Sequence, residues 1–516
     1  MTDTVDTNGW HTVAAITYAD VNKAIAAAGK GPQSFDQAAS DHSAMANGTF
    51  GMWSLATGGS GPVLMMALPI TGGNVMVGDT QYPITPCTAT IRLQATYVPQ
   101  SNSSVVNLVN DSTQPVAVES CLPAQSNFLA DASLKELLGI WLNANLNAFN
   151  AVFASVDLDG QFTNQGVAWL NPSFKGYAVA EPTQAPTLQN SVFAVLCLID
   201  ETPEPPGLVW QVSPYAIPSG ANAAFLIAPE KFLSHMMLAA VPAMFNGISN
   251  QPPANNFTID NSGTRIRNTN ALTLKQVQLD NNNVVTPTVA ASNFTIQLDA
   301  GELEIAILDM QFEYSPGITI HLNYSGRSVI SLDATHDILQ MAATTQTGSG
   351  SVEVSKGLEI AEIVLGVASI VLAVVGGIGG AVGRTASAAV ESATTASLGA
   401  AEASGEDAAT AAQATVSACR GLISGTPAEV SQIAARCFAV AKVAAIGAFC
   451  TTLMPAITMI INAVADGDYQ SMPKITDLTS NAIGKSVIWP EAVGQFTLSS
   501  ATLNGAFQFG LVHAAS

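Results

Sequence analysis

From Ile91 to Tyr97 the apolar residues fall on alternate positions. Ile91, Leu93, Ala95 and Tyr97 are interleaved with Arg92, Gln94 and Thr96, and Val75 and Val77 form a shorter run after Gly72-Gly73. A period of two is that of a strand with one buried face. Gly58-Gly59-Ser60-Gly61-Pro62 and Pro83 to Pro86 punctuate these runs as turns, so the first third of the chain reads as strands and turns. The period then changes. Leu134, Leu137, Leu138, Ile140, Trp141, Leu146, Phe149, Val152 and Phe153 recur at three- and four-residue steps, the continuous apolar stripe of a helix over 131–153. Asp131 or Ser133 is placed to cap its start, because a short oxygen acceptor there satisfies free amides of the first turn. Asn143, Asn145, Asn147 and Asn150 fill much of the opposite face.

Ser191 to Ile199 is apolar on both parities, which predicts a strand covered on both faces. Phe232, Leu233, Met236, Met237 and Ala240 share one face of a second helix over Pro229 to Met244. Alternation returns in Phe294-Ile296-Leu298, Leu303-Ile305-Ile307, Met310-Phe312-Tyr314 and Ile318-Ile320-Leu322-Tyr324. Its parity changes between Ile307 and Met310, so a bulge is expected near Leu308. Successive strands with short turns make an antiparallel, strongly curved sheet. From Gly357 to Ala465 the composition shifts to Ala, Gly, Val and Ile with almost no aromatics, which predicts an apolar helical segment. The tail returns to alternation at Phe496-Thr-Leu498 and Phe507-Gln-Phe509. The expected organisation is a β-rich body (1–356), an Ala/Gly-rich helical segment (357–466) and strands returning to the body (467–516), of class α+β.

Composition changes this picture in one respect. Charged residues are only 11% of the 516-residue chain, against about 25% in a typical soluble domain, while apolar residues reach 48%. The helical segment is the source of much of that excess. Its runs 363–383 and 443–465 are each about as long as the roughly 20 residues that span a hydrocarbon core. Gly376, Gly379 and Gly383 give the first a small-residue rhythm suited to close helix packing. Pro455, Thr451, Thr452 and Asn462 interrupt the second, and no basic flanks anchor either run. A buried hairpin packed on the body is the first expectation, and membrane contact through 363–383 and 443–465 the second.

The net charge of −21, from 38 acids and 17 bases, sets the chain against phosphate backbones, so nucleic acid is not an expected partner. Cys87, Cys121, Cys197, Cys419, Cys437 and Cys450 are scattered without a C-x-x-C pair and read as buried free thiols. Met1 to Asn8 is polar and acidic, which predicts cytoplasmic synthesis without a signal peptide and, for any release, a non-classical route.

Catalytic constellations are absent from the sequence pattern. The six histidines (His11, His42, His235, His321, His336, His513) show no metal-ligand spacing. Asp157-Leu-Asp159-Gly160 begins like a calcium loop but lacks the glutamate that closes one. Gly376-Gly-Ile-Gly-Gly380 follows an apolar run rather than a strand and carries no GK[ST]. Glu302 and Glu304 share one strand face, as solvated carboxylates do. No catalytic, metal or cofactor residue is assigned, no cofactor is implied, and the expected role is binding rather than catalysis.

Several segments are more specific. Asn8-Gly9-Trp10-His11-Thr12-Val13 with Val21-Asn22, the run from Leu134 to Phe153, Trp169-Leu170-Asn-Pro172 with Tyr177, Phe225-Leu-Ile-Ala-Pro-Glu-Lys-Phe232, and Ile488-Trp489-Pro490 with Phe496 to Gly505 occur in one order. Together they resemble the TULIP-like forty-seven-kilodalton protein family of botulinum neurotoxin (OrfX-type) gene clusters. The resemblance implies an elongated TULIP-like fold, similar to bactericidal/permeability-increasing proteins, in which strongly curved antiparallel sheets wrap long helices and leave an apolar groove. It further implies an accessory protein of a toxin-type cluster, with a lipid or other apolar ligand, or other cluster proteins, as partners. Fold analogy alone is an associational warrant for lipid. The groove candidates are Leu138, Trp141, Phe149 and Phe153 from the long helix, with Phe225 and Phe232 from the second helical region. Each of these is also an ordinary core position, so a scaffold with a closed groove stands beside the carrier, as does a membrane-inserting hairpin.

Overall fold

Alternation dominates the chain because it folds mainly as sheet. The structure, a computed structural model, describes residues 4–99, 103–108, 113–122, 127–149, 152–157, 168–199, 204–238, 241, 245–246, 256–260, 263–280, 283–299, 301–315, 317–333, 338–354 and 487–514. The helical segment expected over 357–466, its runs 363–383 and 443–465, and the Gly376–Gly380 loop lie outside these residues. So do Asp159, Gly160, Ala240 and Met244.

The chain opens with β1 (Thr12–Thr17), α1 (Tyr18–Ala28), β2 (Ser34–Ala38), β3 (Ala44–Phe50), β4 (Ser54–Ser60) and β5 (Val63–Val77). It continues through β6 (Thr80–Pro83), β7 (Cys87–Pro99), β8 (Ser103–Leu108), β9 (Ala117–Leu122), α2 (Phe128–Asn145) and β10 (Val152–Asp157). After β11 (Pro172–Ala180), β12 (Val192–Ile199) and β13 (Ala223–Ile227) comes the short α3 (Pro229–Lys231). The next strands are β14 (Phe257–Asp260), β15 (Arg265–Asn268), β16 (Leu272–Thr273), β17 (Val277–Asp280), β18 (Asn283–Val285) and β19 (Thr288–Val289). Longer strands follow: β20 (Phe294–Asp299), β21 (Glu302–Ser315), β22 (Ile318–Asp333) and β23 (Ile338–Val354). The tail supplies β24 (Val487–Ile488), β25 (Phe496–Asn504) and β26 (Ala506–His513).

Two compact units result. The first, Met1–Phe232 with Ser331–Leu339 and Pro473–Ser516, holds two sheets. A six-stranded antiparallel sheet runs β11-β12-β1-β13-β26-β25. Its inner strands explain the runs that are apolar on both parities, since every residue of β12 and of β13 is buried. A ten-stranded sheet follows the path β2-β3-β5-β7-β8-β10-β24, with β4 and β6 on β5 and β9 on β7. The second unit, Leu233–Ile330 with Gln340–Met472, carries an eight-stranded sheet, β14-β15-β20-β21-β19-β16, extended by β22 and β23 from β21. One face of that sheet is apolar, with Ile266, Phe294, Ile296, Leu303, Ile305 and Ile307 buried. The predicted bulge is present: the β21–β22 register shifts between Ile307 and Met310, Asp309 takes φ 46°, and Leu308 turns outward.

Three readings of the pattern need correction. The long helix starts at Phe128, ends at Asn145 and tightens into a 3-10 turn at Leu146–Phe149, whereas Val152 and Phe153 belong to β10. Its cap is Asn127, whose side chain accepts from the amides of Leu129 and Ala130, not Asp131 or Ser133. The helical spacing of Phe149 and Phe153 is a coincidence of two elements that both pack on Trp53, at ring-centroid distances of 5.6 and 6.4 Å. Asn145 bonds back to the Trp141 carbonyl, which satisfies the helix end, and pairing with β8 gives β10 the backbone partners a longer helix would have supplied. Phe225 lies on β13 rather than in a helix, because Ala223–Ile227 is buried on both faces between β1 and β26. The second helix does begin at Pro229, and Phe232–Met237 winds as a π-helix with Phe232, Leu233, Met236 and Met237 buried.

The alternation reading also passed over α1. Its signals are ordinary ones: Thr17 caps through the Asp20 amide, Val21, Ala24 and Ile25 share the buried face, and Gly29 ends it at φ 57°. Among the described residues no helix is long and apolar enough to cross a membrane.

Candidate functional site

The first unit places α2 against the ten-stranded sheet, in contact with β2, β3, β5 and β9. A single turn of this helix is held from both sides. The Trp141 ring lies 5.4 Å from Phe50 and 6.2 Å from Phe35, on β3 and β2. Two residues on, Asn143 exchanges a pair of hydrogen bonds with the Val116 backbone, at 2.8 and 2.9 Å, just before β9. In the order β2-β3-β5-β7-β9 those ends are four strand spacings apart, about 19 Å if the sheet were flat. A helix with side chains is about 10–12 Å across. The sheet therefore curls around α2.

Along the outer side of α2 runs an open depression of about 670 Å³ lined by Val116, Val118, Ala132, Lys135, Gly139 and Ile140, among others. Ile140 is half exposed there, and Phe128 and Leu129 are largely exposed at the helix start. Lys135 donates to the Glu119 carbonyl at 3.0 Å, which ties the rim to β9.

The six groove candidates fall into three sets. Leu138 is buried and Trp141 half-buried on α2. Phe149 and Phe153 are buried on Trp53, beyond the end of the helix. Phe225 pairs opposite Phe509, while the Phe232 ring sits 4.6 Å from Phe507, which meets Phe509 at 4.7 Å. The spacing in sequence joined the first two sets through one helix. The structure joins the second set instead to a chain of rings, since Phe153 stacks on Phe193 at 5.5 Å and Phe193 on Tyr177 at 6.1 Å.

That ring chain also collects the terminal motifs. Tyr177 meets Trp210 edge-on, Trp210 meets Trp10, and Trp10 stacks on Phe174 at 6.0 Å. From the other end of the sequence Trp489 reaches Phe193 at 6.4 Å. Trp10 is wholly buried and donates its Nε1–H to the Val209 carbonyl, and a Cβ on Gly176 would strike its ring. Asn8-Gly9-Trp10 and Ile488-Trp489-Pro490 thus serve one aromatic core. No periodicity could reveal this, because the rings come from five separate stretches of chain.

Several titratable groups are engaged structurally. His11 accepts from the Ile199 amide through Nδ1 at 3.0 Å. His513 Nε2 lies 3.0 Å from Asp20, a buried carboxylate that also takes Lys23 at 2.6 Å and the Thr17 hydroxyl at 3.0 Å. Glu302 and Glu304 share Arg327 with Asp299 rather than facing solvent alone. Burial pushes the Cys121 and Cys197 thiols up to about 12, and Cys87 also upward, which keeps all three as protonated, unreactive thiols. Among the described residues no three His, Cys, Asp or Glu side chains converge as a metal site.

Comparison with known proteins adds the setting. The OrfX-like family model, described as protein OrfX2/OrfX3/P47, matches residues 7–417. OrfX3 of Paraclostridium bifermentans is 27% identical over 274 residues, 46% of this chain and 55% of that protein, so the chain spans about half of its length. P47 from Clostridium botulinum A2 has the same fold, with a TM-score of 0.61 at 15% identity over 99% of each chain. P47 of Clostridium botulinum E1 gives a TM-score of 0.60 at 13% identity, covering 98% of this chain and 99% of its own.

Proposed function

The chain belongs to the OrfX-like family of toxin-gene-cluster proteins, and from that premise we propose that it is a non-catalytic accessory protein that binds a lipid or another apolar ligand beside α2. The observation that carries this reading is the curled sheet gripping one helix, with Trp141 half-buried on one side and the open depression on the other. The depression is open, and its lining is mostly apolar, with Lys135 and Glu136 at hand for a polar end. The histidines and carboxylates with described partners are spent on backbone and ion-pair contacts, which supports binding rather than bond-making.

A second reading, a scaffold of a toxin complex with its groove closed, has its own observation. Leu138, Phe149, Phe153, Phe225 and Phe232 are each no more than 2% exposed, filled in by the protein's own side chains. Native mass spectrometry of the purified chain, with uptake of a fluorescent fatty acid, separates the two. A co-purifying apolar mass or saturable uptake is expected of the carrier. A bare chain that takes up no fatty acid but forms a stable complex with neighbouring gene products would overturn it in favour of the scaffold.

A further inference from the structure

His321, on β22, has a carboxylate against each ring nitrogen. Nδ1 lies 2.7 Å from Asp309 Oδ1 and Nε2 lies 3.2 Å from Glu353 Oε2. Asp309 is the residue at φ 46° in the β21 bulge, and Glu353 is next to the last residue of β23. Three strands therefore converge on one imidazole. Asp309 is held in place independently: its other oxygen accepts from Gln311 Nε2 at 2.8 Å, and its amide donates to Asn323 Oδ1 at 2.9 Å. The charged groups facing His321 among the described residues are Asp309 from β21 and Glu353 from β23. Gln311, its pairing partner across the strands, is uncharged.

A neutral imidazole has one N–H and one lone pair, so it can satisfy one carboxylate and must turn its lone pair on the other. Only the imidazolium donates to both. We propose that His321 is a proton-operated clasp that ties the end of β23 to the β21 bulge, closed on the imidazolium and opened by the neutral ring. Glu353 is the contact that gives way. Its bond is the longer one, its side chain is 73% exposed, and among the described residues nothing comparable to the Gln311 and Asn323 bonds pins it.

The direction of the pH response follows. Asp309 first, and then Glu353, raise the His321 pKa above its ordinary value, and His321 in turn lowers that of Asp309. A raised folded-state pKa means the contribution is complete below the unfolded value of about 6.5 and is lost as pH rises through the raised one. The clasp is an acid-closed device.

Hydrogen exchange of the full chain, corrected for the intrinsic pH dependence of exchange, reads it directly. Protection of amides 351–354 is expected to fall about tenfold between about pH 5 and about pH 9. In His321→Gln it is low and flat. Asp309→Asn is the sharper test, since Asn tolerates the positive φ of the bulge. There the Asn amide donates to Nδ1, the neutral ring donates from Nε2 to Glu353, and protection stays high and flat. Wild-type protection that does not change with pH overturns the clasp, as does an Asp309→Asn variant that loses protection in parallel with the wild type.

Discussion

Two asparagines show how single side chains assemble the first unit. Asn22 donates to the Leu55 carbonyl and accepts from its amide, at 3.0 and 2.7 Å, and Asn143 does the same to Val116. A primary amide presents the donor and acceptor of one peptide unit, so each side chain acts as one residue of an extra strand and fastens a helix to a sheet. Polarity marked Asn143 only as the far face of a helix, and Asn22 lies on α1, which alternation does not show. Two glycines make opposite demands. At Gly73, φ is 144° and a Cβ would run into the Asn47 carbonyl, so Gly73→Ala should destabilise the protein by more than about 1 kcal/mol. Gly139 sits mid-helix in α2 with nothing nearer to a Cβ than a Val118 methyl at 3.9 Å. Gly139→Ala should therefore stabilise by about 0.5–1 kcal/mol, as helix propensity alone dictates. Urea denaturation of both variants checks the pair, and equal signs would show that these local conformations do not govern the effect.

Elements were legible where the apolar pattern matches burial, whether on one face or on both. The bulge at Leu308 follows from a change of parity, and the strand at Val192–Ile199 from a run that is apolar on both parities. Boundaries were harder to read because helix and strand compete for the same residues. Phe149 to Phe153 keeps a helical step, yet strand pairing of β10 with β8 and β24 offers backbone partners on both edges. At the other end of α2 the cap decides. Asn127 accepts two first-turn amides, at 2.8 and 3.2 Å, so Asn127→Ala should cost about 1 kcal/mol of stability. Thermal unfolding followed by circular dichroism measures it. A variant as stable as the wild type would move the start of the helix back to Asp131.

At the scale of the molecule, charge and packing act separately. With 38 acids against 17 bases the chain repels itself, and screening should relieve that strain. The thermal midpoint is expected to rise between about 20 mM and about 500 mM sodium chloride, and a fall would mean that ion pairs such as those at Arg327 and Asp260 outweigh the net repulsion. Packing joins what the sequence separates. Trp10 and Trp489 lie far apart in the chain, and the rings of Trp210, Tyr177 and Phe193 connect them.

What the sequence determined by itself was local or cumulative: strand alternation, the existence of α2, the weakly charged acidic surface and the ordered motifs that mark the family. Those properties depend on near neighbours or on sums over residues, so one dimension carries them. The tertiary structure alone decided which apolar residues meet. It ended α2 at Asn145, moved Phe153 and Phe225 onto strands, and curled the sheet around Trp141 and Asn143. The reason is that burial is non-directional: a side chain's need for cover is written in the sequence, while the identity of the cover depends on which distant strands hydrogen-bond beside it.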